Sequence, residues 1–317
     1  MNQSALICGI SGQDGAYLAQ HLLGSGYRVF GTSRDAQVGG TTNLTRLGLA
    51  GRITMLSMAP NDFRSVLQVL DKVRPDEIYN LAGQSSVGLS FDQPVETLES
   101  HAVATLNLLE SLRFMKLAAR FYSAGSSECF GDTGDMAANE DTPFRPRSPY
   151  GVAKATAFWE VANYREAYGL FACTGILFNH ESPLRPERFV TQKIVRAAAR
   201  IAAGSGERLR LGNLDIARDW GYAPEYVVAM WMMLQQPAPA DYVIATGQTC
   251  SLEAFVDSAF THFGLRWHDH VDSDPALMRP ADIRRSMADP SKAHAQLGWK
   301  AKSGLQEVVA AMAVGFG

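Results

Sequence analysis

The chain contains 317 residues, which is long enough for two domains of typical size or for one enlarged α/β unit. Apolar residues make up 46% of it and charged residues 19%, and 29 basic against 32 acidic side chains leave a formal net charge of -3. This balance excludes a disordered chain and a protein that coats nucleic acid.

Short β-type runs alternate with longer helical patterns through the first half of the chain. They predict strands over residues 5–8, 27–31, 77–81 and 119–124, and helices over residues 14–23, 66–73 and 103–114. The last of these strands is mostly apolar, as expected of a buried strand. The alternation predicts an α/β protein with a Rossmann-type, doubly wound parallel sheet.

Beyond about residue 180 the alternation becomes irregular, and loops punctuated by proline separate the elements. This part is predicted to be a smaller, mixed α/β domain. The predicted domains are therefore residues 1–180 and 181–317. We expect an interleaved boundary, with some C-terminal segments returning to the first domain.

Three glycines, Gly9, Gly12 and Gly15, follow the first strand and open the first helix. Without Cβ atoms such a turn can approach a pyrophosphate closely, and the amides at the start of the helix meet its charge. The spacing is GxxGxxG, and its place between a strand and a helix favours a dinucleotide site. Arg34 follows the second strand and suits a 2′-phosphate, whereas Asp35 could grip a ribose. NADP is therefore favoured, and NAD stays open.

Tyr150 and Lys154 stand four residues apart in the segment SPYGVAK, at the start of a predicted helix. This spacing makes both side chains project from one face. A phenol ordinarily ionises near pH ~10, and a neighbouring ammonium favours its phenolate. The pair is therefore a candidate base at neutral pH.

Together, the glycine turn and the Tyr–Lys pair resemble the extended short-chain dehydrogenase/reductase superfamily over about the first 180 residues. In this resemblance Asn80, Leu81 and Ala82 form the turn that flanks the nucleotide. Ser126 resembles the hydroxyl that hydrogen-bonds the reacting oxygen. A simple alcohol dehydrogenase does not need Glu128, two positions further on, and a carboxylate there suits removal of a proton next to a ketone.

Six longer segments narrow the resemblance from the superfamily to one family within it. They are GISGQDG (9–15), SPYGVAK (148–154), GILFNHESP (175–183), FVTQKI (189–194), LGNLDIARDWG (211–221) and LGWK (297–300). These segments resemble the GDP-mannose 4,6-dehydratase family over nearly the whole chain. The resemblance implies a lyase that turns GDP-mannose into GDP-4-keto-6-deoxymannose and water, with NADP as a hydride store.

The resemblance also implies the catalytic roles. Tyr150, aided by Lys154 and Ser126, takes the proton from the hydroxyl at sugar carbon 4. Glu128 then removes the carbon 5 proton and helps to expel the carbon 6 hydroxyl as water, after which the stored hydride returns to carbon 6. The first domain would thus bind the cofactor and carry catalysis, and the second would bind the nucleotide sugar.

Position by position, the resemblance implies two sets of contacts. The cofactor contacts are Gly9, Ser11, Gly12, Gln13, Asp14, Gly15, Arg34, Leu81, Ala82, Gln84, Ser85, Tyr150, Lys154, His180 and Arg185. The substrate contacts are Ser85, Ser126, Glu128, Asn179, Lys193, Arg218, Arg279 and Asp282. The cations of the second set face the diphosphate, which arginine can bind bidentately, and Asp282 takes the place of a Glu at the guanosine ribose.

The chain departs from the family pattern at three places. Met58 and Ala59 stand where the family has Gly-Asp after the third strand, so the Asp expected to contact the adenine is missing. Asp35 replaces the second of two arginines. Ser126 replaces a Thr and keeps its hydroxyl, and residues 129–130 are Cys-Phe where Leu-Tyr is usual.

Other functions stay open. One is a sister nucleotide-sugar enzyme of the same superfamily, either a 4-keto reductase, which has no need of Glu128, or an epimerase that uses a cysteine. Cys129 is one position from the relevant place, but adjacent residues of an extended segment point to opposite sides. Another is a catalytically silent nucleotide-sugar-binding protein, since one fold hosts many functions.

The helices predicted over residues 103–114 and 150–168 resemble those through which the superfamily forms dimers, which implies a homodimer or a homotetramer. The four cysteines include no CxxC pair, and no apolar run approaches the ~18 residues of a membrane span. The first residues do not resemble a signal peptide. We therefore expect a cytoplasmic protein without a disulfide scaffold, a metal site or a membrane segment.

Overall fold

The computed structural model describes residues 3–37, 40–277 and 281–316. The chain divides into two compact units. The first consists of Met1–Cys129, Ser148–Leu177 and Val227–Tyr242, and the second of Phe130–Arg147, Phe178–Tyr226 and Val243–Gly317. The chain passes from one unit to the other between Leu177 and Phe178 and also at several other points.

The described residues form short strands and mostly longer helices. The strands are β1 (Ser4–Cys8), β2 (Arg28–Ser33), β3 (Thr54–Ser57), β4 (Glu77–Asn80), β5 (Arg120–Ala124), β6 (Ala172–Leu177), β7 (Asn179–Glu181), β8 (Leu209–Leu211), β9 (Ala217–Tyr222), β10 (Tyr242–Ile244), β11 (Thr249–Ser251) and β12 (Val271–Ser273). The helices are α1 (Gln13–Gly24), α2 (Thr42–Arg46), α3 (Phe63–Val73), α4 (Val87–Asp92), α5 (Pro94–Leu98), α6 (Ala104–Met115), α7 (Pro149–Tyr168), α8 (Val190–Ala202), α9 (Ala223–Leu234), α10 (Leu252–His262) and α11 (Leu305–Ala313). In the part of the chain that the structure describes, no helix is both long and apolar enough to cross a bilayer.

The main sheet has seven strands among the described residues, in the order β10-β6-β5-β4-β1-β2-β3. Neighbouring strands from β6 to β3 run parallel. The predicted Rossmann-type sheet is therefore confirmed. From β1, the order leads to β2 on one side and to β4 on the other, and the carboxyl ends of strands at such a switch point form a ligand crevice.

Apolar side chains from one face of this sheet form a buried cluster with the helices that cover it. Leu6, Ile78 and Phe121 of the strands pack with Leu70 of α3 and other helical side chains, all fully buried. Each such side chain contributes about 1.5–3 kcal/mol by leaving water. Met58, one of the departures from the family pattern, is buried in this core. The core fixes the strands whose carboxyl ends carry the predicted site.

The second unit contains smaller sheets. Within the described residues, β11, β9 and β7 form one sheet in that order, and β8 pairs in parallel with β12. Helices α8, α10 and α11 pack together through a buried cluster that includes Ile194, Phe255, Phe260 and Val308. This is the smaller mixed α/β part that the looser pattern beyond residue 180 predicts.

The helix predicted over residues 103–114 has a start that the sequence did not predict. Its regular part is α6, and a π-helical turn, Glu99–Val103, precedes it. Helix α7 begins at Pro149, one residue before the predicted start, because Ser148 caps it. The Ser148 hydroxyl accepts a hydrogen bond from the Gly151 amide at 3.0 Å. Both helix starts lie next to residues of the predicted site.

Glu160 is a half-buried carboxylate on α7. Its Oε2 atom is buried and finds no hydrogen-bond partner among the described residues. Burial raises the pKa of this carboxyl from its ordinary 4.5 to about 8, because a charge is less stable away from water. Between these two pH values the folded protein holds a proton that the unfolded chain has released, so stability falls as the pH rises.

Replacing Glu160 by Gln should therefore stabilise the fold. The gain should be small near pH 4.5, grow as the pH rises to about 8, and level off above it. Thermal unfolding of wild type and E160Q across this range measures the difference. Glu166→Gln, at an exposed position of the same helix, is the control, and a gain at Glu160 that does not change with pH would contradict the prediction.

Candidate active site

Close backbone packing shapes the turn between β1 and α1. A Cβ atom on Gly15 would lie 2.5 Å from the Gly9 carbonyl oxygen. One on Gly9, whose φ is +81°, would lie 2.8 Å from the Leu81 carbonyl oxygen. Gly12, the N-cap of α1, has no side-chain cap among the described residues. The N-terminus of α1, which is the positive end of the helix dipole, lies at this turn and fits the phosphates of a dinucleotide.

Polar residues of the same turn are held by local hydrogen bonds. The Ser11 carbonyl accepts a bond from the Asn43 side chain at 3.0 Å. Gln13 is buried and donates its Nε2 to the Asp14 carboxylate at 3.0 Å. These predicted cofactor residues therefore lie together at the carboxyl end of β1.

The loop after β4 lies beside this turn. The Leu81 amide donates to the Cys8 carbonyl at 3.0 Å and so extends the pairing of β4 with β1 by one residue. Further along, the Gln84 side chain donates to the Ser86 carbonyl at 2.8 Å, and Ser85 is exposed. Ala82 is partly buried. The structure thus brings the predicted loop residues next to the glycine turn.

Arg34 directly follows β2, as predicted. Its side chain is 85% exposed and pairs with Glu96 at 4.0 Å. An exposed pair at this distance contributes little, so the guanidinium can reorient toward an anion. The neighbouring Asp35 carboxylate accepts a hydrogen bond from the Gln37 amide at 2.8 Å. Asp35 is thus engaged with its own loop.

Ser126 and Glu128 lie in the loop after β5. Ser126 is 8% exposed, and its hydroxyl accepts a hydrogen bond from the Glu128 amide at 3.2 Å. Glu128 is half-buried. The bond therefore fixes the Ser126 hydroxyl against the backbone of the residue that carries the carboxylate.

The expectation that residues 128 and 129 lie on an extended segment is wrong. Ser127–Cys129 forms a turn of 3-10 helix, closed by the Cys129 amide donating to the Ser126 carbonyl at 3.1 Å. The two side chains nevertheless differ in environment. Cys129 is fully buried, and burial raises the pKa of its thiol to about 12. Such a thiol is a poor acid/base at neutral pH.

Lys154 ties α7 to β5. Its ammonium donates to the Ala124 carbonyl at 2.7 Å and lies 5.7 Å from the centroid of the Tyr150 ring. Burial lowers the pKa of Lys154 from 10.5 to about 8. Since Ser126 follows Ala124 by two residues, the predicted catalytic residues gather where β5 ends and α7 begins.

In the second unit, two of the predicted contacts lie on β7. Asn179 is half-buried, and β7 pairs with β9 so that Asn179 lies opposite Trp220. His180 is buried, stacks on the Tyr226 ring at 4.6 Å and approaches the Phe178 carbonyl at 2.7 Å. Its ring orientation is thereby fixed from both sides.

The predicted cations of the second unit that the structure describes are engaged with protein groups. Arg185 pairs with Glu181 at 3.2 Å, and the Lys193 ammonium donates to the Arg210 carbonyl at 2.7 Å. Arg218, on β9, is buried and lies 3.7 Å from the Asp282 carboxylate. The structure therefore brings Arg218 and Asp282 together, 64 positions apart in the sequence. Arg279 lies outside the described residues.

Two residues of these regions, His101 and Asp219, were not predicted from the sequence. His101 lies in the π-helical turn and contacts the Tyr150 ring edge-on, with centroids 5.3 Å apart. A lone histidine in a helical pattern gives no signal of such a contact. Asp219, within the RDWG segment, is fully buried and accepts backbone amides of residues 246–248. Its motif was visible, but only the fold shows that it organises a loop.

A parallel sheet with a glycine turn after β1, and a Tyr–Lys pair beside the end of β5, define an extended short-chain dehydrogenase/reductase. Solved structures agree in fold. The complex of UDP-glucose 4-epimerase from Thermus thermophilus with NAD superposes with a TM-score of 0.87 at 24% identity and covers 99% of each chain. RMD from Pseudomonas aeruginosa complexed with NADPH gives 0.82 at 22% identity, again with 99% of each chain covered.

Within this superfamily, the chain belongs to the GDP-mannose 4,6-dehydratase family. The family model described as GDP-mannose 4,6 dehydratase matches residues 6–312. GDP-mannose 4,6 dehydratase 2 of Arabidopsis thaliana is 46% identical over 97% of this chain and 85% of its own length. The chain is therefore an enzyme of this family, and the resemblance expected from its segments is confirmed.

Replacing Gly15 by Ala should damage the cofactor site. The added methyl would lie 2.5 Å from one backbone oxygen and 2.6 Å from the Ile10 Cα, so α1 must move away from the turn. We expect NADP affinity to fall at least about tenfold, since a shift near 1 Å can cost far more than that at a site. Calorimetric titration with NADP measures this.

Gly24→Ala is the matched control. Gly24 ends the same helix, and among the described residues nothing lies within 4 Å of a Cβ placed there. This variant should bind NADP as wild type does. Equal affinities of G15A and G24A would show that the close packing at Gly15 does not position the cofactor.

Proposed function

We propose that the chain converts GDP-mannose to GDP-4-keto-6-deoxymannose and water, with NADP bound throughout. The observation that carries the proposal is the grouping of a hydroxyl, a carboxylate, a phenol and a buried ammonium where β5 ends and α7 begins. A reductase needs no carboxylate there. Glu128 therefore favours a dehydratase within the family scaffold.

The first task of this group is to remove the proton of the sugar hydroxyl at carbon 4. Tyr150 takes that proton, and the Ser126 hydroxyl hydrogen-bonds the same oxygen. The Lys154 ammonium, held by the Ala124 carbonyl at 2.7 Å, provides the positive charge that favours a phenolate. When bound, the nicotinamide supplies reversible hydride transfer.

The second task belongs to Glu128. A ketone at carbon 4 acidifies the hydrogen on carbon 5, and the Glu128 carboxylate takes it as a proton. The electron pair left on carbon 5 forms the double bond to carbon 6, and the carbon 6 hydroxyl leaves as water after receiving a proton from Glu128. The hydride taken from carbon 4 would then return to carbon 6, and a proton would return to carbon 5 in place of the one that Tyr150 took. Glu128 and Tyr150 are thus both unchanged over the cycle.

The cations of the second unit suit the nucleotide diphosphate. The buried Arg218 guanidinium presents fixed donors, and Lys193 adds a point charge. We propose that both bind phosphate oxygens together with Arg279 and Asn179, and that Asp282 binds the ribose. His180 and Arg185 are proposed to close over the cofactor.

The choice of NADP rests on Arg34. Its exposed guanidinium is suited to the charge of a 2′-phosphate. Of the two solved relatives, the epimerase is a complex with NAD and RMD is complexed with NADPH. Because the Asp35 carboxylate already accepts a hydrogen bond from the Gln37 amide, Arg34 is the better candidate to contact the cofactor.

An epimerase that uses Cys129 is disfavoured. The thiol is fully buried, its pKa is raised to about 12, and its sulfur lies 3.8 Å from the Gly151 carbonyl. Proton exchange at carbon 5 of a sugar requires an accessible group of lower pKa. Glu128 is only half-buried and is the more accessible of the two groups.

The function is tested by incubating the protein with GDP-mannose and a catalytic amount of NADP. Mass spectrometry of the sugar nucleotide should show the loss of one water, without net formation of NADPH. Net NADPH formation would indicate an ordinary dehydrogenase. Unchanged substrate with both NADP and NAD would leave a sister enzyme or a binding protein.

Glu128→Gln should lower kcat for dehydration by about 10²–10⁴-fold, because an amide cannot accept the carbon 5 proton. Affinity for NADP should stay near that of wild type. Glu166→Gln, the same change at an exposed position of α7, should leave kcat unaltered. Wild-type turnover by E128Q would remove Glu128 from the mechanism.

We also propose a homodimer formed through α6 and α7. These helices and the segment before α6 expose apolar side chains that ordinarily prefer burial, and such clusters mark interfaces. They are Val95, Leu98, Val103, Leu106, Phe114, Val152, Trp159 and Tyr168. A second copy presenting the same helices is the proposed partner.

Trp159→Glu should therefore shift the protein toward monomer. Trp159 is 62% exposed in the single chain, so a charge there is tolerated by the fold and opposed only by association. Sedimentation velocity at micromolar concentration measures the change. Met136→Glu, at a residue 80% exposed in the second unit, is the control, and a wild-type protein that is already monomeric would refute the dimer.

A further inference from the structure

His101 is a buried histidine with no role in the mechanism given above. It is the middle residue of the π-helical turn Glu99–Val103, and only 4% of it is exposed. A π turn adds one residue to a helical turn and changes the direction in which its side chains project, and such turns often occur at functional sites. Here it directs an imidazole into the first unit.

One side of the imidazole holds the loop after β4. The His101 Nε2 atom lies 2.7 Å from the Gln84 carbonyl oxygen. A carbonyl oxygen only accepts hydrogen bonds, so Nε2 carries the hydrogen. Gln84 is one of the predicted cofactor contacts. The histidine therefore fixes the backbone of a loop that is proposed to bind NADP.

The same loop is shaped to receive the ring. Gly83 has a φ of +127°, and a Cβ atom there would lie 2.2 Å from His101 Cε1 and 2.5 Å from Nδ1. Only glycine allows both this backbone conformation and this approach. The loop thus packs closely against the imidazole at both Gly83 and Gln84.

The other side of the imidazole contacts the catalytic tyrosine. The His101 and Tyr150 rings meet edge to face, with centroids 5.3 Å apart and an interplanar angle of 86°. Such a pair has a preferred geometry, so it restricts where the phenol can lie. Tyr150 and the cofactor loop therefore share one rigid neighbour.

The charge of the site favours a neutral ring. Burial lowers the pKa of His101 well below 6.5, and the Lys154 ammonium acts in the same direction. A neutral imidazole with hydrogen on Nε2 satisfies the Gln84 carbonyl and adds no second positive charge beside Lys154. Its hydrogen-bonding role is therefore constant over the neutral pH range.

We propose that His101 is a positioning residue: its imidazole holds the Gln84 peptide on one side and the Tyr150 ring on the other, and so sets the cofactor loop relative to the base. The proposal rests on the proposed function, in which Tyr150 is that base. His101 touches neither the substrate nor the transferred atoms in this role.

Two substitutions separate the two contacts. His101→Phe keeps an aromatic ring beside Tyr150 and loses the donor to Gln84. His101→Gln keeps a side-chain amide donor and loses the ring. We expect H101F to raise the dissociation constant of NADP about tenfold with kcat changed less than about twofold, because the part-buried Gln84 carbonyl loses its hydrogen-bond donor. We expect H101Q to lower kcat about tenfold with NADP affinity nearly unchanged.

NADP affinity is measured without turnover, by calorimetric titration, and kcat by the mass-spectrometric assay of dehydration. His262→Phe and His262→Gln are the controls, because His262 makes an edge contact with Phe263 at 5.0 Å at an exposed position of the second unit. If H101F and H101Q change NADP affinity and kcat to the same extent, His101 has only a structural role and the proposal is wrong.

If both histidine variants fail to fold, Ser100→Ala provides a second test of the same loop. The Gln84 backbone amide donates a hydrogen bond to the Ser100 hydroxyl at 3.3 Å. The substitution removes this bond and leaves the bond between His101 and the Gln84 carbonyl in place. NADP affinity should fall by about twofold to fivefold, and an unaltered affinity would refute control of the cofactor by this part of the loop. A wild type that binds NADP but does not dehydrate GDP-mannose would refute the proposed function alone, because the affinities still test the Gln84 contact.

Discussion

The bond between the Lys154 ammonium and the Ala124 carbonyl is the contact on which the candidate site depends. At 2.7 Å it joins the first turns of α7 to the last residue of β5. An ammonium buried this deeply needs a hydrogen-bond partner, because losing it would leave an uncompensated charge away from water. The bond therefore fixes the distance between Tyr150 on the helix and the Ser126–Glu128 loop beyond the strand. Chemistry that needs a hydroxyl, a phenol and a carboxylate together relies on this one attachment.

A second constraint acts through backbone packing. The carbonyl of Leu81 lies against Gly9, and the ring of His101 lies against Gly83. Because no Cβ atom separates these groups, the β1–α1 turn, the loop after β4 and the π-helical turn are in direct contact. Displacing one of them must displace the others, since a packed interior has few voids to absorb the change. The proposed cofactor loop and the Tyr150 ring are coupled for this reason.

The sequence was sufficient for those parts of the fold that repeat or obey a short local rule. The strand over residues 5–8 and the helix over residues 14–23 differ from β1 and α1 by at most one residue at either end, because apolar periodicity marks them. It failed where geometry depends on irregular backbone: the loop carrying Glu128 is a 3-10 turn, and the π turn at His101 has no pattern of its own. Contacts distant in sequence, such as Arg218 with Asp282, are fixed only by folding.

The pairing of Arg218 with Asp282 bears on how the second unit handles charge. An arginine that is only 5% exposed would be costly without a counter-ion, and the Asp282 carboxylate lies 3.7 Å away. At this distance the two charges attract each other. The carboxylate is nevertheless too far away for a bidentate pair, in which each of the two hydrogen bonds is shorter than about 3 Å. The Ala217 carbonyl also accepts a bond from Arg218 at 2.9 Å, which fixes the plane of the guanidinium. The cation is thus held in place by the protein itself, and the proposed binding of a diphosphate need not order it.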